Sequence, residues 1–167
     1  MSAAISSSDA LVTALAAALA NHLELFAARA RALAASLTPE EFWAKPYPYG
    51  NSVGHLLLHL TGNLNYYVGT QMASTGYVRD RPLEFTDTSR RPPADVLADM
   101  DRAVALVVRT IRDQTAESWV RDYAAAGTDE TTRLGMVLRC IEHFFHHVGQ
   151  VIYLVKEHER RSPRAAD

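Results

Sequence analysis

Four stretches of the chain place apolar residues at steps of three and four, the rhythm of a helix buried along one side. Leu11, Leu15, Leu19, Leu23, Phe26, Ala30, Leu33 and Leu37 mark the first, over about residues 9–37. Val53, Leu56, Leu57, Leu60, Leu64, Tyr67 and Val68 mark the second, over about 52–73. Leu97, Met100, Val104, Val107 and Ile111 mark the third, over about 93–114, and Leu134, Leu138, Ile141, Phe145, Val148, Ile152 and Val155 the fourth, over about 131–159. Four long helices with apolar stripes bury them most simply against one another. The pattern therefore predicts an all-α fold, a four-helix bundle, as a single domain over residues 1–167.

The connections carry their own punctuation. Thr38-Pro39-Glu40-Glu41 supplies an N-cap, a proline at the first helical position and an acid at the third, so a short helix is expected through about Trp43. Two prolines between Lys45 and Gly50 then break it, and Asn51 or Ser52 can cap the second long helix. Residues 74–92 form a polar loop rich in Gly, Pro, Arg and Asp, too long for an idle turn. A short extended piece is expected within Trp119 to Thr128.

Size and composition narrow the class. The chain has 167 residues and is 48% hydrophobic, enough apolar material for one folded domain. Its 17 basic and 19 acidic residues leave a net charge of −2, and no basic stripe suits a phosphate backbone, so nucleic acid is not an expected partner. The lone cysteine, Cys140, can form no internal disulfide, which points to a cytoplasmic protein; an inert buried thiol is the expected state. No uninterrupted apolar run approaches the roughly 18 residues of a membrane span, so no membrane partner is expected. Ala10 to Ala20 resembles a secretory leader in length, but the first basic residue is Arg29, whereas a leader begins with positive charge.

The histidines carry the candidate chemistry. Five of the seven cluster within two predicted helices: His55 and His59 in the second, His143, His146 and His147 in the fourth. His143 and His147, four apart, share one helical face, a spacing that lets two imidazoles grip one cation. His146 is turned away by about 100 degrees. A third ligand must come from another helix, and His59 is the natural candidate, although His55 lies one turn before it and spacing does not decide between them. Hydrogen-bonded core histidines would show the same spacing. Three protein ligands would leave positions open to water or substrate, the mark of a reactive site. Imidazole suits zinc, nickel, iron and copper, so the donor type does not single out the ion. His22 and His158 read as solvent-facing.

Other constellations are missing. Neither His59, His143 nor His147 has a Glu three residues earlier, which removes the carboxylate di-iron pattern. There is no His-Glu-x-x-His pair, phosphate-binding glycine loop or Gly-x-Ser-x-Gly elbow.

Ile141 to Lys156, IEHFFHHVGQVIYLVK, resembles the last-helix signature of the DinB/YfiT-like family, in which His-x-x-x-His is followed by x-Gly-Gln. Ser52-Val53-Gly54 with Leu57-Leu58-His59-Leu60 is similar to the family's second-helix pattern, and Gly76 to Phe85 resembles a loop of one subgroup of uncharacterised DinB-like proteins. The similarity spans about Ser52 to Lys156; the first helix matches in pattern alone. The resemblance implies a four-helix bundle of up-down-down-up topology, a bacterial homodimer, and a divalent ion, zinc or nickel first, held by His59, His143 and His147. It leaves His55 and His146 outside the ligand set. Characterised relatives include transferases and isomerases that use low-molecular-weight thiols such as bacillithiol or mycothiol.

Two readings follow for function. In the first, the chain is a metal-dependent transferase that adds a low-molecular-weight thiol to a small electrophile, or a hydrolase in which water takes the place of the thiol; no catalytic side chain is assigned. Asn63 would orient a ligand and Gln150 would hydrogen-bond the helix pair, while the loop of Arg79, Asp80, Arg81 and Glu84 would close over the mouth, Arg79 or Arg81 holding a carboxylate of the thiol or of the small-molecule substrate. A surface salt-bridge network is the plainer reading of that loop. In the second, the chain is a non-catalytic, stress-related dimeric bundle that binds metal, a reading favoured by the lack of an obvious acid or base beside the histidines.

Overall fold

A computed structural model describes residues 7–161; the ends of the expected domain, 1–6 and 162–167, lie outside the described residues. The described residues fold into helices joined by loops, with no strand among them. The four long helices are α1 (Ser7–Ala35), α3 (Val53–Leu64), α6 (Pro93–Arg112) and α8 (Arg133–Arg161), with α2 (Pro39–Trp43), α4 (Gln71–Ala73), α5 (Leu83–Thr86) and α7 (Ala116–Trp119) between them. Both α1 and α3 pack against α6 and α8. The core between them is apolar and continuous, from Ala20, Leu23 and Ala30 of α1 through Leu57 and Leu60 of α3 and Met100 and Val107 of α6 to Phe144 and Val151 of α8.

The expected caps form. Thr38 and Glu41 close a capping box on α2. Ser52 caps α3 by accepting from the His55 amide. Its helix continues past Leu64 through a π-helical turn, Asn65–Thr70, into α4, and stops at Ser74 in the left-handed region. The wide turn leaves carbonyls without their usual partners, and the Tyr123 hydroxyl donates to the Tyr67 carbonyl at 2.9 Å. Tyr67 in turn donates to the Gly127 carbonyl at 3.1 Å. The extended piece expected within Trp119 to Thr128 amounts to an isolated antiparallel bridge between Asp122 and Thr132.

Within the polar loop 74–92 the chain makes a helical turn, α5, which the sequence did not announce. Asp80 accepts from the Leu83 amide at 3.0 Å and Thr86 donates back to the Pro82 carbonyl at 3.0 Å, so both ends of α5 are tied locally. His55 pins the chain just after it by bonding the Asp87 carbonyl at 3.0 Å.

Three expectations are corrected. Leu138 and Phe145 were placed in the α8 stripe, yet they are 42% and 59% exposed. The buried face instead runs through Val137, Cys140, Ile141, Phe144, Val148 and Val151, because α8 meets α1 and α3 on that arc. Leu11 is 70% exposed, since the first two turns of α1 hold no fully buried residue. His158, read as solvent-facing, is buried at 7% exposure. By length and composition α1 is also apolar enough to cross a membrane, which counting uninterrupted runs did not reveal; its buried face packs on α6 and α8.

Candidate metal centre

Helices α3 and α8 bring His59, His143 and His147 together. Each offers one ring nitrogen, and these atoms all lie within 4.8 Å of one another. The His59 and His143 rings face each other through their Nε2 atoms at 2.9 Å. His59 and His147 are buried, His143 half-buried. A four-residue step on α8 stacks His143 under His147, with ring centroids 4.5 Å apart.

Groups behind the rings decide which nitrogen faces inward. His59 Nδ1 meets Glu84 Oε2 at 2.7 Å, so the carboxylate accepts the Nδ1 proton and Nε2 presents its lone pair to the cluster. Gln150 Oε1 accepts from His147 Nδ1 at 2.8 Å and has the same effect there. A ligating histidine usually has such an outer partner, which fixes its tautomer and raises its basicity. Glu84 is held in turn by Arg79, which donates from Nε at 2.6 Å to Oε1 and from a terminal nitrogen at 2.9 Å to Oε2. Both side chains are nearly buried, at 6% and 9% exposure.

The electrostatics suit a cation site. Burial, followed by the neighbouring imidazoles, holds His143 down to about 3. Burial likewise holds His147 down to about 4, against the opposing pull of Gln150. Both rings are therefore neutral and free to ligate at physiological pH. Burial alone would raise the Glu84 carboxyl, but hydrogen bonds from His59 and Arg79 outweigh it and hold it below its ordinary value. Asn63, one turn after His59, buries its Oδ1 with no partner. An orphaned amide oxygen costs about 1–3 kcal/mol, which marks the adjoining cavity as one that receives a polar group. Three converging imidazoles, two of them oriented from behind, beside an orphaned amide, fit a divalent ion.

The same cavity, of about 410 Å³, is lined by His59, Asn63, Arg79, Arg81, Arg139 and His143 among others. Arg81 lies over the Phe85 ring at 5.6 Å, and that ring lies against His59 at 4.7 Å. A larger hollow of about 660 Å³ lies on the far side of Glu84. None of the three histidines lines it, so the histidine cluster opens into the smaller cavity.

The structure also separates the remaining histidines. His55 uses both ring nitrogens elsewhere, Nδ1 with Ser52 Oγ at 2.7 Å and Nε2 with the Asp87 carbonyl at 3.0 Å. His146 is exposed and meets Gln150 Nε2 at 3.0 Å. Cys140 is buried and free, and burial pushes its thiol up to about 12, so it is inert.

Sequence reasoning missed Glu84 as a partner of His59 and counted it only in the loop, so the apparent lack of a carboxylate beside the histidines is corrected. One signal pointed to it. Gly62 stands inside α3, where glycine weakens a helix, and a β-carbon there would collide with Glu84 Oε1. The bare face admits the carboxylate.

A family model described as the DinB superfamily matches residues 22–151, more than half of the chain and well into α1. No curated protein and no solved structure matches the chain.

Proposed function

The chain belongs to the DinB superfamily, and on that premise we propose that it is a metal-dependent enzyme. In this reading His59, His143 and His147 hold one divalent ion, zinc or nickel, and the enzyme joins a low-molecular-weight thiol to a small electrophile. The observation that carries it is the convergence of three ring nitrogens within 4.8 Å, two of them backed by Glu84 and Gln150.

Held by His59, His143 and His147, a divalent ion would supply Lewis acidity, which favours ionisation of a thiol or water near neutral pH without a strong base. The chain's own residues do the rest. Glu84 and Gln150 each accept an Nδ1 proton, which keeps the facing nitrogens unprotonated. Arg79 locks Glu84, and through it the His59 ring. Asn63 offers its amide to the cavity, and Arg81 reaches the same cavity from the loop. Hydrolysis would use the same residues with water in place of the thiol. We place the reaction in the bacterial cytoplasm, with the four long helices as a bundle of up-down-down-up topology paired as a homodimer, and with no nucleic acid or membrane partner.

Elemental analysis of untagged protein beside cobalt-substituted spectroscopy tests the reading. About one ion per chain, with a visible spectrum that shifts on adding a thiol, is the expected result. A stoichiometric ion whose spectrum no thiol or small anion perturbs would place the chain with the non-catalytic, stress-related metal-binding bundles instead. Protein without metal under metal-replete, chelator-free conditions would remove both readings.

A further inference from the structure

The charges around the cavity specify more than a metal. Arg79 is neutralised by Glu84, with which it shares two hydrogen bonds. Arg81 and Arg139 line the cavity too, and neither forms an ion pair among the described residues; Glu142 is the one acid that shares the lining with them. Arg139 stands one helical turn before His143, so positions 139, 143 and 147 form one file along α8. Arg81 reaches the same cavity from the loop, its guanidinium over Phe85, which itself lies against His59. The orphaned Asn63 amide shares the lining, more than nine-tenths buried. A chain with a net charge of −2 thus concentrates unpaired cations at the entrance to a site that would itself hold a cation.

We propose that Arg81 and Arg139 form an anion subsite at the mouth of the histidine cluster, and that one molecule entering it carries a carboxylate or a similarly small anionic group. This rests on the metal-dependent reading above for the meaning of the site, but not for the binding itself. Guanidinium groups that line one cavity bind a carboxylate through paired N–H donors, whereas a neutral ligand would leave both cations unpaired. The anion can belong to the thiol or to its electrophilic partner.

Three probes separate these cases on cobalt-loaded protein: mercaptosuccinate, an anionic thiol; mercaptoethanol, a neutral one; and succinate, an anion without sulfur. Binding is followed by calorimetry and coordination by the visible spectrum. Mercaptosuccinate is expected to bind at least about ten-fold tighter than mercaptoethanol, the margin of one charge-assisted contact. The double variant Arg81→Gln/Arg139→Gln should erase that margin while cobalt content and mercaptoethanol affinity stay unchanged. A control with the same change of charge, Arg29→Gln/Arg121→Gln at exposed positions, should keep it. Succinate binding that depends on Arg81 and Arg139, with no spectral response to either thiol, would sustain the subsite and remove the thiol-transfer reading. Equal affinity for the two thiols, or a margin that survives the double variant, would overturn the subsite.

Discussion

His55 and His59 stand one turn apart on α3, both buried, both with two ring nitrogens engaged, and only one of them belongs to the candidate centre. Around His55 the partners are a serine hydroxyl and a backbone carbonyl, with Trp43 edge-on at 5.4 Å. Those groups close the ring in and tie α3 to the end of α5. Around His59 the partners are a carboxylate on one side and two imidazoles on the other. Carboxylate on Nδ1 leaves Nε2 as a donor to a cation. The two residues show that the neighbours of an imidazole, more than its burial or its helix, decide whether it is a structural tie or a ligand.

The sharpest way to break that contrast is to exchange the two roles for alanine. His59→Ala is expected to lower metal affinity more than about a hundred-fold, beyond the range for losing an outer partner, as measured by competition with a chromophoric chelator. His55→Ala should keep the metal and lose stability instead, by about 1–3 kcal/mol for the groups it leaves unpaired, read from urea unfolding. Equal loss of metal in both would end the distinction.

Next in size is the carboxylate behind His59. Glu84→Gln should weaken metal binding by about 10- to 100-fold, and Gly62→Ala should do the same without touching any polar group, because its new methyl would drive Glu84 away. A Gly62→Ala protein with full metal affinity would show that Glu84 does not orient the ring.

A smaller effect concerns pH. His143 and His147 titrate near 3 and 4 in the folded protein, against about 6.5 in an unfolded chain. The unfolded chain therefore takes up those protons first. Metal-free protein should hold its full stability above about pH 6.5 and lose it progressively as pH falls toward 3. Urea midpoints across that range check the slope, which His143→Gln/His147→Gln should flatten. The smallest effect is expected at Gln150, which is exposed and shared with His146. Gln150→Ala should weaken metal binding by about ten-fold or less.

Much of this was legible in the chain, for reasons that differ by element. Every residue of the stripe expected in α6, Leu97, Met100, Val104, Val107 and Ile111, is buried, with Val96 and Val108 beside them, because a polar opposite face left one phase for the helix. The stripe of α8 holds at Ile141, Val148 and Val155, which are buried, and fails at Leu138 and Phe145, because apolar residues surround much of that helix. Packing against α1 and α3 draws Val137 and Phe144 into the core in their place. Phe145, excluded from the core, lies on Phe26 at 4.9 Å. The His143 and His147 pair was visible in its spacing, a local property of one helix. The Glu84 partnership joins residues 25 positions apart through the short α5, whose stability comes from Asp80, Thr86 and contacts with α3. No periodicity announces such a contact. Gly62 alone left a trace of it.

Long-range proton–nitrogen correlation on histidine-labelled protein, titrated with zinc, bears most directly on the central claim. At one equivalent, the Nε2 signals of His59, His143 and His147 should move and saturate together, with the Nδ1 of His59 and His147 protonated, while both nitrogens of His55 stay where they were. Movement of His55, or drift of all the histidines without saturation, would contradict a built three-histidine centre.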